Sequence, residues 1–389
     1  MSFVPKGLIQ DRWLTALARV EYGSITFVGP DGNSWSFKGP QPGPVAHFHI
    51  RDWGVIERLV ARGDIGLGED YIAGAWDTDD LEALISFFLL NLDQLEGFAH
   101  GNMANRLLFV LHNSLVRRNS LSGSRRNIEA HYDVGNDFYS LWLDETMTYS
   151  SALFEGQPRA LAEAQRKKYG RIISKLDRPR ASILEIGCGW GGFAEQAAGA
   201  DHRVTGLTIS PSQHDFAVKR LGSNAEIRLQ DYRKVEGVFD SIVSIEMFEA
   251  VGERYWPHYF NTIAARLARG GKAMVQAIVV RDELFAGYRT RSDFIRHYVF
   301  PGGMLPSLAR FREEAERAGL KLLESFSFGE DYAKTLREWS ARMRARETEI
   351  LALGHDQRFL RNWQFYFGIC AAAFAVKRTD VVQVELVHA

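Results

Sequence analysis

Residues 183–192 read Ile-Leu-Glu-Ile-Gly-Cys-Gly-Trp-Gly-Gly. An apolar run ends in four glycines within six positions, and a helix-like segment follows from Phe193. Glycines at such a turn let the backbone approach a ligand closely. Gly187, Gly189 and Gly192 fit G-x-G-x-x-G, a weak signal alone. A dinucleotide fold wants an acid at the end of the second strand for the ribose. That segment here, Val204-Thr-Gly-Leu-Thr-Ile209, has none. Asp231, in Gln230-Asp-Tyr-Arg233, can accept from an adenine amine or merely cap a strand end. Glu249 ends Ser244-Ile-Glu-Met-Phe-Glu249. Unpaired in an apolar site, its carboxyl pKa would rise and it could take a proton. Glu246 is the weaker candidate. His47 and His49 share one face of an alternating run, but no third ligand is evident. They read as a solvated or core pair, and no metal site is expected.

The surrounding pattern must position these groups. Val20–Val28 and Ser34–Phe37 flank Pro30-Asp31-Gly32, a turn signal between two strands. Val45–Ile50 alternates as a strand. Trp53–Arg62 and Asp79–Asn91 have helical spacing, with Asp79 as the cap. From residue 181, strands Ile183–Ile186, Arg203–Leu207, Glu226–Leu229, Asp240–Ser244 and Lys272–Ile278 alternate with helices Phe193–Ala200, Ser212–Arg220 and Tyr255–Leu267. Alternation of this kind indicates a doubly wound, Rossmann-like α/β sheet. After Phe294 the chain reads as helical and aromatic. The expected division is a smaller N-terminal α+β domain over 1–100, a connector over 101–125 and a catalytic domain over 126–389.

Composition narrows the function. The 389 residues carry 47 Lys+Arg against 48 Asp+Glu, a net charge of −1. Neither a strongly basic nucleic-acid binder nor an acidic disordered chain fits that balance. Hydrophobic residues at 46% suit a sizeable core. The two cysteines, Cys188 and Cys370, cannot make a disulfide framework. No run approaches the roughly 18 apolar residues of a membrane span. The expected location is cytoplasmic. Arg117–Arg126, beside Leu107–Leu111, could lie on an anionic membrane surface but reads slightly better as a linker helix with a solvated basic face, and Arg337–Arg346 is a second basic stretch.

Glu185 with the glycines gives Glu-x-Gly-x-Gly-x-Gly, which resembles motif I of the S-adenosylmethionine (SAM) methyltransferases. Further segments resemble the cyclopropane fatty acid synthase family over nearly the whole chain. They are Arg126-Asn-Ile-Glu-Ala-His131-Tyr-Asp-Val-Gly-Asn136-Asp-Phe-Tyr139, Met147-Thr-Tyr-Ser-Ser151, Val204-Thr-Gly-Leu-Thr-Ile-Ser210, Ser244-Ile-Glu-Met-Phe-Glu249 and Phe300-Pro-Gly-Gly-Met-Leu-Pro306. Gly66-Leu-Gly-Glu-Asp-Tyr-Ile-Ala-Gly-Ala-Trp76 resembles the family's N-terminal domain. The resemblance implies a SAM site at Tyr149, Ser150, Glu185, Gly187, Gly189, Gly191, Thr208, Gln213 and Asp231. It implies an active site at Ser151, Glu249, Gln276, Ile278 and Tyr332, which in the family surround a bicarbonate ion acting as base. Two positions depart from the usual pattern: Ser151 stands where Cys is typical and Gln276 where His is frequent. Both can still donate hydrogen bonds to an anion. The resemblance further implies unsaturated phospholipid acyl chains as substrate, peripheral contact with the inner membrane face, and a homodimer.

An isolated alkene is a weak nucleophile, and a sulfonium methyl is a strong electrophile. Methylation leaves a carbocation that needs a dry pocket with π faces. Tyr149, Phe248, Tyr332, Trp339 and Tyr366 are candidate walls. Proton loss from the new methyl closes a cyclopropane, the favoured reading. Loss from a chain carbon leaves a methyl-branched alkene, as in pathways to methyl-branched or furan fatty acids. A small soluble acceptor, a non-catalytic lipid binder and a nicotinamide oxidoreductase are less consistent with these residues.

Overall fold

A computed structural model describes residues 6–95, 134–291 and 293–389. It divides into two compact units. One comprises Met1–Leu115, Thr290–Val299 and Glu347–Val376, and the other Val116–Arg289, Phe300–Arg346 and Lys377–Ala389. The units therefore follow different boundaries from a simple cut near residue 100. The connector and the basic stretch Arg117–Arg126 fall outside the described residues.

In the first unit, β1 (Tyr22–Val28), β2 (Ser34–Lys38), β3 (Gln41–Ile50) and β4 (Trp76–Asp77) form a sheet in the order β2-β1-β3-β4. β3 alternates, with Ala46, Phe48 and Ile50 buried and His47 and His49 exposed. The histidines are thus a solvated pair, and His47 Nδ1 lies 2.6 Å from Asp79 Oδ2. That contact occupies Asp79. The helix Leu81–Leu90 is capped instead by Asp80, whose carboxylate accepts from Ala83 N–H at 3.0 Å. The late helix Gln357–Ala375 packs on Leu81–Leu90. A side chain at Gly368 would come within 2.7 Å of Leu81 Cβ, so glycine permits the approach. Arg361 closes this unit by donating to Asp77 at 2.8 Å.

The second unit holds seven strands in the order β10-β11-β9-β8-β5-β6-β7. β5 (Ser182–Ile186), β6 (Arg203–Thr208), β7 (Ala225–Leu229), β8 (Phe239–Ile245) and β9 (Leu267–Val280) pair in parallel. Their residues alternate between two cores. Ile183, Val243 and Met274 join one side with the helices Leu161–Lys175 and Gly192–Gly199. Leu184, Ile242, Ala273 and Val275 join the other with Trp256–Arg266 and Leu308–Arg317. Helices on both faces make this the doubly wound fold expected. The sheet also has two antiparallel strands absent from the sequence reading, β10 (Leu320–Ser327) and β11 (Thr379–His388). β11 lies between β10 and β9, and most of Val381–Glu385 is buried on both faces.

The strand order reverses at β5, which pairs with β6 on one side and β8 on the other. Ligands of open α/β sheets bind outside the strand carboxyl ends at such a switch point. The loops after β5 and β8 are the two glycine- and glutamate-bearing segments singled out above.

Candidate active site

The turn after β5 is built as its glycines require. Gly187, Gly189 and Gly191 have φ of 83°, 52° and 84°, the left-handed region that side chains disfavour. Gly187 and Cys188 donate their N–H groups to Leu207 O at 3.0 and 2.8 Å, tying the turn to the end of β6. A Cβ on Gly192 would lie 2.8 Å from Thr146 O. Glu185 is buried, and its Oε2 has no hydrogen-bond partner. Burial pushes its carboxyl pKa up to about 8. A sealed, unsatisfied acceptor beside an open glycine turn fits a ligand with donor groups.

At the end of β6, Thr208 donates its hydroxyl to Gln213 Oε1 at 2.9 Å, and Ser210 caps the helix Pro211–Leu221. Asp231 is engaged within the chain. It caps the short turn 232–234 and holds Arg233 Nη2 at 2.6 Å. The cation and two donors at Arg233 hold the Asp231 pKa low against its burial.

Behind the loop, Ser150 is fastened from two sides. Lys168 donates Nζ–H to Ser150 Oγ at 2.6 Å, and Gln165 donates to Ser150 O at 2.9 Å. Lys168 is fully buried. Burial pushes its pKa down to about 7, while Glu246, Asp144 and Glu185 pull it back up.

Three of the residues expected at the active site, Ser151, Gln276 and Tyr332, converge on Glu246. Its Oε1 accepts from Ser151 N–H at 2.8 Å and from Gln276 Nε2 at 2.7 Å. Its Oε2 accepts from the Tyr332 hydroxyl at 2.7 Å. Glu249 stands beside it with a different environment. Its Oε1 accepts from Ile278 N–H, while its Oε2 is sealed from solvent without a partner. Desolvation and the neighbouring Glu246 push its pKa up to about 8. Glu246 is also pushed up by burial, with Lys168 and its three donors pulling it down. The pair is thus split by geometry: Glu246 receives three donors, while one oxygen of Glu249 receives none.

Tyr332 also faces a group of rings. It meets Trp339 at 6.2 Å between centroids, and Trp339 meets Tyr149 at 5.3 Å and Trp142 at 5.6 Å. Tyr139 joins Tyr149 at 5.8 Å and Trp190 of the glycine turn at 5.0 Å. Of the candidate walls, Tyr149, Tyr332 and Trp339 come together here. Phe248 does not. It is the buried residue of the 3-10 turn Phe248–Ala250 after β8 and packs in the sheet core against Trp256, Tyr259 and Phe311. Tyr366 belongs to the other unit, among Trp363 and Phe367. Tyr139, Trp142 and Trp190 went unremarked in the sequence; Trp190 lies inside the glycine motif itself.

The family description "mycolic acid cyclopropane synthetase" matches residues 119–384. The chain belongs to this family. It is 34% identical over 378 residues to the tuberculostearic acid methyltransferase of Mycobacterium tuberculosis, covering 94% of this chain and 88% of that one. It is 32% identical over 345 residues to the cyclopropane-fatty-acyl-phospholipid synthase of Escherichia coli, covering 87% of each. The structure of the mycolic acid cyclopropane synthase CmaA1 with SAH and CTAB superposes with a TM-score of 0.64 at 31% identity, covering 67% of this chain and 97% of that one.

Family membership and the SAH-bound relative establish a SAM-dependent enzyme of a family that modifies lipid acyl chains. The residues present fit that cofactor: the left-handed glycines leave room, and Glu185 offers an unused acceptor. Among the described residues no helix is long and apolar enough to cross a membrane. No group of three or more His, Cys, Asp or Glu among them is arranged to hold a metal.

Proposed function

We propose that this enzyme methylates a double bond in the acyl chain of an unsaturated membrane phospholipid and closes a cyclopropane ring. One observation carries the reading. Tyr332 belongs at once to the ring cluster and, through its hydroxyl, to the Glu246/Glu249 pair. Rings stabilise an alkyl cation and exclude the water that would trap it. A carboxylate within reach removes the proton that resolves the cation.

Glu185, Gly187, Gly189, Gly191, Thr208, Gln213, Tyr149, Ser150 and Asp231 are the residues proposed to hold SAM, which supplies an electrophilic methyl group when bound. Gly187–Gly191 admit the ligand, Glu185 accepts from it, and Thr208 with Gln213 serves its polar edge. Asp231 can accept from an adenine amine once it exchanges a contact with Arg233. Catalytic roles fall to Glu246, Glu249, Ser151, Gln276, Ile278 and Tyr332. The relative named cyclopropane-fatty-acyl-phospholipid synthase supports the phospholipid substrate. Three exposed arginines of the helix Gly329–Ala345 and its end, Arg337, Arg344 and Arg346, are proposed to meet anionic headgroups at the inner membrane face. A homodimer remains part of the proposal on family grounds.

A second reading is a methyl-branched alkene product. It is favoured by Gln276 and Ser151, whose donors meet a carboxylate of the chain itself. The relative named tuberculostearic acid methyltransferase also favours it.

The test is incubation with dioleoyl phospholipid vesicles and SAM bearing a trideuterated methyl. Two retained deuteriums with upfield ring protons support the cyclopropane. Three retained deuteriums with vinylic protons support the branched alkene. No label in lipid refutes both.

A further inference from the structure

Family resemblance assigns Ser151, Gln276 and Tyr332 to a bicarbonate ion. In this chain all three donors end on one carboxylate of the protein. Ser151 N–H and Gln276 Nε2 reach Glu246 Oε1 at 2.8 and 2.7 Å, and the Tyr332 hydroxyl reaches Oε2 at 2.7 Å. A carboxylate and a bicarbonate present the same pair of oxygens to donors, so both cannot use this set at once.

Two further observations show that Glu246 is built into this place. The first is the direction of the hydrogen bonds. Arg171 has no acceptor, so the Gln383 atom it meets at 2.8 Å is Oε1. Gln383 therefore turns Nε2 toward Gln276 Oε1, at 3.0 Å. Gln276 is then obliged to turn its own Nε2 toward Glu246. The chain from Arg171 thus delivers a donor at this point, and Glu246 Oε1 accepts it. The second is the backbone. Glu246 has φ of +49°, where glycine would be unstrained. An L side chain is disfavoured there, and strain of this kind collects at functional positions.

We infer that Glu246 takes the place of a bound bicarbonate and is itself the proton acceptor of the reaction. A C–H bond of the new methyl, or of a chain carbon beside the cation, breaks. Its electron pair forms the ring bond or the new double bond. The proton passes to the Glu246 carboxylate and then to solvent. Glu249, sealed and neutral, stays next to it as an uncharged neighbour. The inference rests on the proposed alkene methylation.

The experiment compares the wild type with Glu246→Gly, which removes the carboxylate and relieves the strained backbone together. Both are assayed with trideuteriomethyl SAM and dioleoyl phosphatidylethanolamine/phosphatidylglycerol vesicles, in buffer purged of carbon dioxide and again with added sodium bicarbonate. SAH titration calorimetry checks that the variant keeps its cofactor site. A second readout is the ¹³C line width of labelled bicarbonate. The expected result has three parts. The wild type works equally well in both buffers and leaves the ¹³C line unchanged. Glu246→Gly falls by about 100-fold or more without bicarbonate. Added bicarbonate broadens its ¹³C signal and restores part of the activity. The inference is overturned if the wild type depends on bicarbonate, if the variant matches it in purged buffer, or if a variant that binds SAH is not rescued. Absence of labelled lipid from the wild type in both buffers would instead overturn the proposed function.

Discussion

Gln383 Nε2 donates to Gln276 Oε1 at 3.0 Å, between two facing residues of β11 and β9, and both side chains are buried. This contact sets which end of the Gln276 amide points at Glu246. A side-chain amide can otherwise present either its oxygen or its nitrogen. The oxygen would set a dipole against the carboxylate.

Gln383→Leu removes that control at nearly constant volume. It leaves Gln276 Oε1 without a donor and Arg171 without one of its acceptors. We expect kcat to fall about 10-fold, the equivalent of one hydrogen bond, with KM for SAM unchanged. Steady-state kinetics checks this. A rise in KM for SAM with kcat preserved would refute a positioning role.

Lys168 places one ammonium among Asp144, Glu185 and Glu246. Lys168→Met fills the space but leaves those carboxylates without it, and Ser150 Oγ without its donor. Removing one partner of a buried charged set costs about 3–5 kcal/mol. Urea unfolding is expected to show a smaller loss at pH 6 than at pH 9, because the lowered folded pKa of Lys168 costs the wild type stability as pH falls from the unfolded lysine value toward 7.

The folded-state pKa of Glu249 is raised to about 8. An ordinary Glu titrates near 4.3 when unfolded. Between those values the folded chain holds a proton that the unfolded chain has released. Stability from this group is complete below about pH 4 and declines as pH rises toward 8, by up to about 1.4 kcal/mol per pH unit. Glu249→Gln keeps the neutral shape and cannot ionise. Its unfolding free energy is expected to fall less steeply than the wild type's between pH 5 and 8. Parallel slopes would show that Glu249 is ionised in the folded protein.

Gly192→Ala tests the cofactor turn. The new methyl would sit 2.8 Å from Thr146 O, a backbone atom, and 3.1 Å from Thr148 Oγ1. Backbone cannot yield as a flexible side chain can. We expect a loss of about 1–3 kcal/mol in stability and SAH binding weakened by about 10-fold or more, read by titration calorimetry.

Local pattern carried the sequence reading far. Strands with buried runs, glycines at left-handed positions and capping spacing are written in neighbouring residues, so β5 to β9 and the glycine turn were legible from residue order. Even there, a local ambiguity was resolved by a distant contact. Asp79 and Asp80 are equivalent as caps in sequence, and His47 draws Asp79 away. The late helix Gln357–Ala375 read as simply helical and aromatic, yet it packs on Leu81–Leu90 across more than 260 residues of chain.

The sequence by itself determined the class of chemistry. The Glu185–Gly192 turn, the absence of an acid after the second strand and the family motifs identified the cofactor and the family, one that modifies lipid acyl chains. The contrast that singles out Glu246 as the proposed proton acceptor exists only in three dimensions. Glu246 and Glu249 differ by three positions and not at all in residue type, so their roles cannot be separated by composition or spacing. What separates them is the environment delivered by other strands. β11, unrecognised in sequence, inserts antiparallel beside β9 and brings Gln383 opposite Gln276. Tyr332 comes from a helix more than eighty residues further along the chain. Hydrogen-bond donors and burial act over a few ångströms, and only the folded chain fixes which carboxylate receives them.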